Sequence, residues 1–384
     1  MNVGLFLGHP AHFHMLKHTA ENLKLDGHRV FVVIKKKDIL ETLCREAGLE
    51  YYKIREGRGG SKWGLIKSVL GMEYHMCQFV RQNKIDLLIG STLSFTAAKI
   101  NRIAVIVMGE DDANVVPNYA KLVYPFASVV LTPDSCNNGK WDKKSSKYSS
   151  YHELAYLHPN HFTPDEKVVK GYDIDVAKPY FIVRFAQLNA HHDSGIKGIN
   201  NEIAERLIKI LKPHGKIYIT SERPLEPQFE QYRIKINPLD MHHVMAFASL
   251  YIGDSQTMAA EAGVLGVPFV RFNDFVGRIG YLRELEDVYE LGFGIHASAL
   301  PEDSPIRKHD GSVQPSGTDA LYQAVEQLVA MDATERRTLY QQRRQKMLAD
   351  KIDCAMFLTW FIENYPQSVE ETRKGGLEFW ERFK

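Results

Sequence analysis

Short apolar runs alternate with helical segments along most of the chain, and this alternation constrains the fold more than any other feature. The sequence predicts strands at 2–8, 29–35, 51–54, 86–90, 103–108 and 129–131, and further strands at 180–184, 216–220, 233–236, 250–252 and 268–271. Helices are predicted between most of these strands. Runs that are apolar throughout are typical of parallel strands buried on both faces. The pattern therefore predicts α/β structure with doubly wound parallel sheets.

The alternation stops between residues 133 and 175 and then begins again. The interval contains polar and small residues together with Trp141 and the lysines Lys140, Lys143, Lys144 and Lys147. We place a linker there, which favours two Rossmann-like lobes at 1–165 and 176–350 over one large sheet. A mostly helical segment follows at 351–384. The basic loop 56–62 and the stretch 140–147 are predicted to be solvated and flexible, with contact to an acidic substrate or to lipid headgroups as the alternative.

Composition and charge do not indicate a nucleic-acid-binding, disulfide-rich, secreted or membrane-spanning protein. The chain has 48 Lys and Arg residues against 47 Asp and Glu residues, a net charge of +1, so no nucleic-acid partner is expected. Its four cysteines are scattered, which argues against a disulfide framework or a zinc site. The N-terminus lacks the features of a signal peptide, and the longest apolar run, Ile103–Met108, is too short to span a bilayer. We expect a cytoplasmic protein.

The stretch 251–270 reads as a buried strand, a polar turn, a helix and a second buried strand. Asp254 or Ser255 lies at the position of a helix N-cap. Such a turn directs backbone N–H groups and the positive end of a helix dipole toward a ligand, for which phosphate is the natural choice. Thr257 and Glu261 share a helix face, and a carboxylate there suits ribose hydroxyls. The alternative is an ordinary capped helix of an α/β unit.

Ligands of parallel sheets bind beyond the carboxyl ends of the strands, so polar residues at those ends are the candidates. In the first lobe these are His9, His12 and His14, the turn 90–92, and the acidic turn of Glu110, Asp111 and Asp112. In the second lobe they are Arg184 and Gln187, the loop 189–195, the turn of Ser221, Glu222 and Arg223, and the opening Asp254, Ser255, Gln256 and Thr257. His242 and His243 lie in a predicted helix just before that opening.

Each candidate has a chemical interpretation and a structural one. The histidines at 9, 12 and 14 could act as a general base or contact a substrate hydroxyl, or could only cap a helix; their spacing does not favour a metal site. The acidic turn could supply a base, bind sugar hydroxyls, hold a divalent cation or be solvated surface. Arg223 could bind a phosphate or form a surface salt bridge. His242 could contact a nucleobase or lie in the core. The P-loop and dinucleotide-binding patterns are absent from the sequence.

The pattern of Gly253, Asp254, Ser255, Glu261, Ala262, Gly266 and Pro268 resembles the donor-nucleotide motif of GT-B-fold enzymes. These enzymes include UDP-GlcNAc 2-epimerases and nucleotide-sugar glycosyltransferases. The turn 9–12 and the block 147–159 resemble more closely the DUF354 family, which is regarded as GT-B-like. The resemblance implies two Rossmann-like lobes whose parallel sheets face each other across a cleft. It also implies that the helices of 351–384 cross back to pack on the first lobe.

The resemblance implies a role for each group of candidates. The turn of Ser255, Gln256 and Thr257 would hold a diphosphate, Glu261 would bind the ribose, and His9 and His12 would present the acceptor or the reacting sugar. The epimerases carry Ser–Gly–Gly where this chain has Ser–Gln–Thr, which weakens the case for 2-epimerase chemistry. We therefore expect a metal-independent glycosyltransferase of polysaccharide or glycoconjugate biosynthesis, with a sugar-nucleotide epimerase and a non-catalytic sugar-nucleotide-binding protein as alternatives.

The expected site residues and partners follow from this interpretation. His9, His12, Asp111 and Asp112 are the catalytic candidates, and the donor-binding candidates are Arg184, Ser221, Arg223, His242, Asp254, Ser255, Gln256, Thr257 and Glu261. The donor is expected to be a nucleotide sugar, with a UDP-sugar favoured, and the acceptor a sugar or glycolipid. No cofactor is expected. Peripheral contact with a membrane is a further interpretation of the basic segments.

Overall fold

The chain folds into two compact units, one formed by Met1–His161 with Lys351–Lys384 and the other by Phe162–Asp350. The structure is a computed structural model, and it describes residues 1–35, 39–54, 62–90, 95–186, 197–301, 303 and 305–384. Each unit is built on its own parallel sheet, of seven strands in the first and five in the second. The prediction of two Rossmann-like lobes is therefore confirmed.

The sheet of the first unit has the strand order β3-β2-β1-β4-β5-β6-β7. Its strands are β1 Asn2–Leu7, β2 Arg29–Ile34, β3 Tyr51–Lys53, β4 Leu87–Gly90, β5 Ala104–Met108, β6 Val129–Pro133 and β7 Ser145–Tyr148. β1 is an interior strand, with Val3 paired to Val30 of β2 on one side and to Leu87 of β4 on the other. Because all the strands are parallel, their carboxyl ends lie along one edge, which carries the candidate residues at positions 9 and 110–112.

Helices cover this sheet between the strands. They are α1 Pro10–Leu25, α2 Leu40–Glu46, α3 Lys62–Gln82, α4 Phe95–Ile100 and α5 Pro117–Val123, with 3₁₀ turns at Tyr124–Phe126, Gly139–Lys144 and His152–Ala155. α1 begins earlier than the sequence suggested, because Pro10 occupies its first turn and His9 is its N-cap. The predicted polar turn over residues 9–14 is therefore the start of a helix.

The sheet of the second unit has the order β12-β11-β10-β8-β9. Its strands are β8 Tyr180–Phe185, β9 Lys216–Ser221, β10 Leu250–Gly253, β11 Phe269–Phe272 and β12 Gly292–Ile295. The helices are α6 Glu166–Lys170, α7 Asn201–Leu211, α8 Met241–Ala246, α9 Gln256–Val264, α10 Gly280–Arg283, α11 Gly317–Ala330 and α12 Ala333–Asp350, with a 3₁₀ turn at Pro227–Tyr232 and a π-helical turn at Glu284–Val288. One face of the sheet buries a core with α7 and α11 that includes Val183, Ile252 and Val270.

The last three helices belong to the first unit and are α13 Cys354–Glu363, α14 Gln367–Lys374 and α15 Leu377–Glu381. Asp353 fixes the start of this segment: its carboxylate caps α13 through the Met356 N–H at 3.1 Å. The same carboxylate lies 2.8 Å from Nε2 of His161 and accepts from the Asn160 amide at 3.0 Å. Since a buried carboxylate needs such partners, this network anchors residues 160–161 and the start of α13 to each other.

Further local predictions differ from the structure. Residues 233–236 form only a single bridge, from Arg233 to Ile219, in place of a strand. The stretch 140–147 is ordered as a 3₁₀ turn and most of β7, and the Lys144 ammonium donates to the carbonyls of Tyr124, Pro125 and Ala127 at 2.9–3.2 Å. β7 and β12 were not predicted. No helix in the described part of the chain is long and apolar enough to cross a membrane.

Candidate functional site

The turn from β10 into α9 places a helix N-terminus at the carboxyl edge of the second sheet. Ser255 is the N-cap: its backbone is extended and its hydroxyl accepts from the Met258 N–H at 3.4 Å. The N–H groups of Gln256 and Thr257 lie in the first turn, where a helix offers them no acceptor of its own. That turn contains no acidic residue. Backbone N–H groups and the helix dipole therefore favour an anion at this position.

Asp254, the alternative candidate for the N-cap, has a different role. Its carboxylate is 2% exposed and accepts from the N–H of Ala186 at 2.7 Å and from the N–H of Ile199 at 3.2 Å. Burial raises the pKa of this carboxyl to about 6, although the backbone donors and Arg223 act in the opposite direction. Asp254 therefore ties the two ends of the segment that follows β8 to the start of α9.

Arg223 and Ser221 reinforce the same connection. The Arg223 guanidinium donates to the Ile199 carbonyl and lies 5.2 Å from the centre of the Phe185 ring. The Ser221 hydroxyl donates to the Arg223 carbonyl at 2.6 Å and accepts from the Arg223 N–H at 3.2 Å. The backbone of Ile199 is thus held on its N–H side by Asp254 and on its carbonyl side by Arg223.

Asn273 and Asp274, beyond the end of β11, hold the other side of the turn and were not predicted. The Asn273 amide donates to the Asp254 carbonyl at 2.9 Å and to the side-chain oxygen of Gln256 at 2.7 Å. Asp274 accepts from the N–H groups of Lys197 and Ser298, each at 2.8 Å. Asn and Asp after a strand are a recognisable turn signal, but only the fold reveals which backbone groups they bind.

Glu261 and His242 form a buried pair between α9 and α8. Their side chains are 7% and 8% exposed, and Nε2 of His242 lies 3.0 Å from a carboxylate oxygen of Glu261. The ring of Phe162 packs edge-on against His242, with 6.2 Å between the ring centres. The structure therefore brings together two residues that the sequence had assigned to the same ligand.

Arg184 lies at the end of β8 and donates to Glu222 at 2.5 Å. Its Nε and the hydroxyl of Tyr251 are buried and have no hydrogen-bond partner among the described residues. Tyr251 folds back over Gly253, where a Cβ atom would overlap its hydroxyl and lie 2.9 Å from Cβ of Arg184. The absence of a side chain at Gly253 therefore lets Tyr251 and Arg184 pack directly beneath the turn.

In the first unit, His9 and His12 both use Nδ1 as an acceptor. Nδ1 of His9 accepts from the Ala11 N–H at 3.2 Å, and Nδ1 of His12 accepts from the Gly8 N–H at 3.1 Å. The two rings lie edge to face with 6.1 Å between their centres. An Nδ1 that accepts a backbone N–H carries no proton, so in each neutral ring the proton is on Nε2.

The acidic turn after β5 contains residues of different exposure. Asp112 is 7% exposed and accepts from the Asn137 N–H at 3.0 Å, which joins this turn to the segment after β6. Asp111 is half-buried. Glu110 lies 3.4 Å from Nδ1 of His152, a residue to which we had assigned no role. Burial lowers the pKa of His152 to about 4, so this ring is neutral at pH 7.

Some predicted positions lie outside the described residues, namely 56–61, 91–92, Gln187 and the loop 189–195. Thr257 is half-buried in the first turn of α9, as expected for a residue beside the N-cap. Within the described residues, no group of three or more His, Cys, Asp and Glu side chains has the arrangement of a metal site.

Solved structures with this architecture cover nearly the whole chain. S. aureus MnaA in its co-structure with UDP has a TM-score of 0.63 at 12% identity, over 96% of this chain and 98% of that one. Spinosyn rhamnosyltransferase SpnG, complexed with spinosyn aglycone, has a TM-score of 0.59 at 13% identity, over 95% of this chain and 100% of that one. UDP-GlcNAc 2-epimerase from Neisseria meningitidis, bound to UDP-GlcNAc, has a TM-score of 0.58 at 12% identity, over 90% of this chain and 100% of that one. The fold is therefore GT-B-like.

Comparison of the amino-acid sequence with protein-family models and curated proteins identifies no relative of this chain. No protein-family model matches the chain, and no curated protein matches it. The resemblance to the DUF354 family is therefore not confirmed. At 12–13% identity, the solved structures establish the fold alone.

The packing of Tyr251 over Gly253 gives a testable prediction for the turn. Gly253→Ala should lower the free energy of unfolding by about 1–3 kcal/mol, because the added methyl group overlaps the Tyr251 hydroxyl. Tyr251→Phe alone should be neutral or slightly stabilising, since the hydroxyl it removes is buried and unpartnered among the described residues. Chemical denaturation of both single variants and the double variant measures these changes.

The double variant serves as the control for this prediction. Gly253→Ala combined with Tyr251→Phe should lose less stability than the sum of the two single changes, because one of the two overlapping groups is gone. Strictly additive effects, or no cost for Gly253→Ala, would show that the ring does not pack over the turn in this way.

Proposed function

We propose that this protein is a glycosyltransferase that takes a sugar from a nucleotide-activated donor, in polysaccharide or glycoconjugate biosynthesis. The observation that carries the proposal is the first turn of α9. It combines the Ser255 N-cap, the N–H groups of Gln256 and Thr257, and the buried carboxylate of Glu261 one turn further along. MnaA bound to UDP and SpnG complexed with thymidine diphosphate have the same fold, which supports a nucleoside diphosphate as the ligand here.

The diphosphate is assigned to the N-terminus of α9. The hydroxyl of Thr257, the backbone N–H groups and the guanidinium groups of Arg184 and Arg223 supply donors at this edge of the sheet. A guanidinium has five N–H donors, so Arg223 can hold the Ile199 carbonyl and still bind a phosphate oxygen. These charges act most strongly on the diphosphate as it departs with a full extra negative charge, which lowers the barrier to sugar transfer.

Glu261 is assigned to the ribose, with His242 as its support. A carboxylate accepts about four hydrogen bonds, so Glu261 can bind His242 and ribose hydroxyls together. The contact with His242 fixes the carboxylate orientation, since both side chains are buried and held at 3.0 Å. Asp254 is a positioning residue in this scheme, because its oxygens bind the backbone of the chain itself.

The first lobe is assigned to the acceptor. His9 and His12 carry their ring protons on Nε2 and so act as hydrogen-bond donors to acceptor or sugar oxygens, while Asp111 is the general base. Asp111 takes the proton from the acceptor hydroxyl, whose oxygen forms a bond to the anomeric carbon. The bond from that carbon to the diphosphate breaks, and its electron pair leaves with the nucleotide. Asp112 holds the acidic turn in place through Asn137.

The donor assignment predicts which ligands stabilise the protein. A UDP-sugar, among UDP-, TDP-, GDP- and CMP-sugars, should raise the melting temperature, since a ligand at a hundred times its Kd adds about 2.7 kcal/mol of stability. Glu261→Gln should weaken UDP binding about tenfold but leave pyrophosphate binding unchanged, because Glu261 is proposed to contact the ribose and not the diphosphate. Glu230→Gln, at an exposed ion pair of the same unit, is the matched control. A protein that binds none of these nucleotides would contradict the proposal.

A second function is a sugar-nucleotide epimerase, which the likeness to UDP-GlcNAc 2-epimerase favours. The two activities differ in their need for an acceptor, because epimerisation requires only the sugar nucleotide. If the protein converts a UDP-sugar to its epimer with no acceptor present, its function is that of an epimerase and the transferase proposal is wrong. If the protein binds the nucleotide but shows neither activity under any condition, it is a non-catalytic sugar-nucleotide-binding protein.

The tautomers of His9 and His12 predict separable effects on turnover and stability. Asn places its side-chain oxygen near the position of Nδ1, so His9→Asn and His12→Asn should keep the backbone hydrogen bonds and the melting temperature. Each should lower turnover about 100-fold or more if Nε2 contacts the reacting groups. His14→Asn, in the same helix and packed against Tyr156 at 5.2 Å, is the control that should keep full activity. Unchanged turnover in both variants would remove the histidines from the mechanism.

A further inference from the structure

A groove of about 290 Å³ lies in the first unit between α5 and the segment after β6. Its volume is just below the range of about 300–1,000 Å³ for small-molecule sites, which suits one sugar residue. The chemically important lining residues are Asn114, Lys121, Asn137, Asn138, Lys140 and Trp141. The sequence had singled out part of this segment as a lysine-rich loop, and no role in donor binding uses it.

Trp141 forms a fixed aromatic wall. Its indole is half-buried and packs perpendicular to the Tyr124 ring, with 5.9 Å between the ring centres. The Lys140 ammonium lies 5.0 Å from the centre of the indole. An exposed cation–π contact of this kind contributes only about 0.5–1 kcal/mol, so a ligand can displace the lysine from the ring. The apolar face of a sugar ring then has a flat surface to pack on.

Asn138 lines the groove and has a buried side-chain amide. The residue is 1% exposed, and its amide nitrogen donates to the hydroxyls of Thr132 at 3.1 Å and Ser145 at 3.0 Å. Its side-chain oxygen is buried and has no partner among the described residues. A buried acceptor left unpaired costs about 1–3 kcal/mol, which a ligand hydroxyl would recover.

The charge of the groove is one-sided. Lys121 and Lys140 line it, and none of its lining residues is acidic. Asp142, which follows Trp141 in sequence, lies 3.5 Å from the ammonium of Lys147, and Asp112, which precedes Ala113, accepts from the Asn137 N–H; neither lines the groove. An indole and amides suit a sugar ring, while two ammonium groups suit an anionic substituent on that ring.

The groove is joined directly to the acidic turn. The Asn137 N–H donates to Asp112 at 3.0 Å, and the Asn137 carbonyl accepts from the Ala113 N–H at 3.0 Å. Ala113 and Asn114 line the groove, while Asp111 lies two residues before Ala113. A sugar residue held against Trp141 would therefore sit next to the turn that carries the proposed base.

We propose that this groove binds an acidic sugar residue of the acceptor, that is, a hexose ring carrying a carboxylate or a phosphate. The identification of this sugar as part of the acceptor rests on the proposed function. The ring packs against Trp141, its hydroxyls reach Asn138, and its anionic group binds Lys121 and Lys140. A uronic acid and a sugar phosphate share this chemistry.

The test uses the full-length protein labelled with 5-fluorotryptophan, which has four tryptophans and therefore four ¹⁹F resonances. Trp141→Phe identifies the resonance of Trp141, and Trp360 and Trp380 of the C-terminal helices serve as internal references. Glucuronate or glucose 1-phosphate, titrated without nucleotide, should shift the Trp141 resonance, and the shift should reach a plateau as the ligand saturates the site. Glucose should bind at least fivefold more weakly. Acetate and inorganic phosphate should cause no comparable shift.

Lysine variants separate the site from general charge effects. Lys121→Gln should weaken the response to the acidic sugar at least fivefold, and Lys99→Gln, which removes a lysine outside the groove beside Phe126, should not. No saturable shift with either acidic sugar, or equal responses to glucose or to the simple anions, would overturn the proposal. Because no nucleotide is present, a response of Trp141 in a protein that fails to bind UDP would refute the donor proposal alone.

Discussion

The buried carboxylate of Asp254 is the interaction on which the geometry of the second lobe depends. Two backbone N–H groups from opposite ends of the segment 186–199 converge on it, while Asn273 holds the carbonyl of the same residue. Removing a carboxylate from water is costly unless such donors replace the lost hydration. The cost is visible in the pKa, which burial raises to about 6 despite these donors. The hydrogen bonds that offset it also fix the start of α9.

This arrangement separates structural from ligand-binding groups within one short motif. Asp254 is buried and binds backbone N–H groups of another segment, whereas the next residue, Ser255, caps α9 through its hydroxyl. The same division occurs in the first lobe, where Asp112 joins two segments and Asp111 is less buried. His9 and His12 follow the rule as well, because backbone N–H groups occupy Nδ1 and assign the proton to Nε2. In each case the local fold decides which atom makes the structural hydrogen bond.

Much of this organisation could be predicted from the sequence, and the failures have physical causes. Strands such as β1 and β10 were found because they consist almost entirely of buried apolar residues and glycine. β7 was missed because its sequence, Ser–Ser–Lys–Tyr, is polar at the end of the sheet. β12 was missed because it contains Gly292 and Gly294, whose missing side chains make room for Phe269 and Glu286. Periodicity does not report such long-range packing. For the same reason, the sequence identified Asp254 and Arg223 as polar residues at strand ends but could not show that both hold Ile199.

The central claim is that the first turn of α9 binds the diphosphate of a sugar nucleotide. Amide hydrogen exchange of the intact protein, resolved to the individual amides of residues 254–264 and compared with and without UDP, tests it most directly. UDP and pyrophosphate should slow exchange of the Gln256 and Thr257 N–H groups, because a phosphate oxygen becomes their acceptor, and uridine should not. If saturating UDP binds the protein but the exchange rates of these two N–H groups do not change, the account is contradicted.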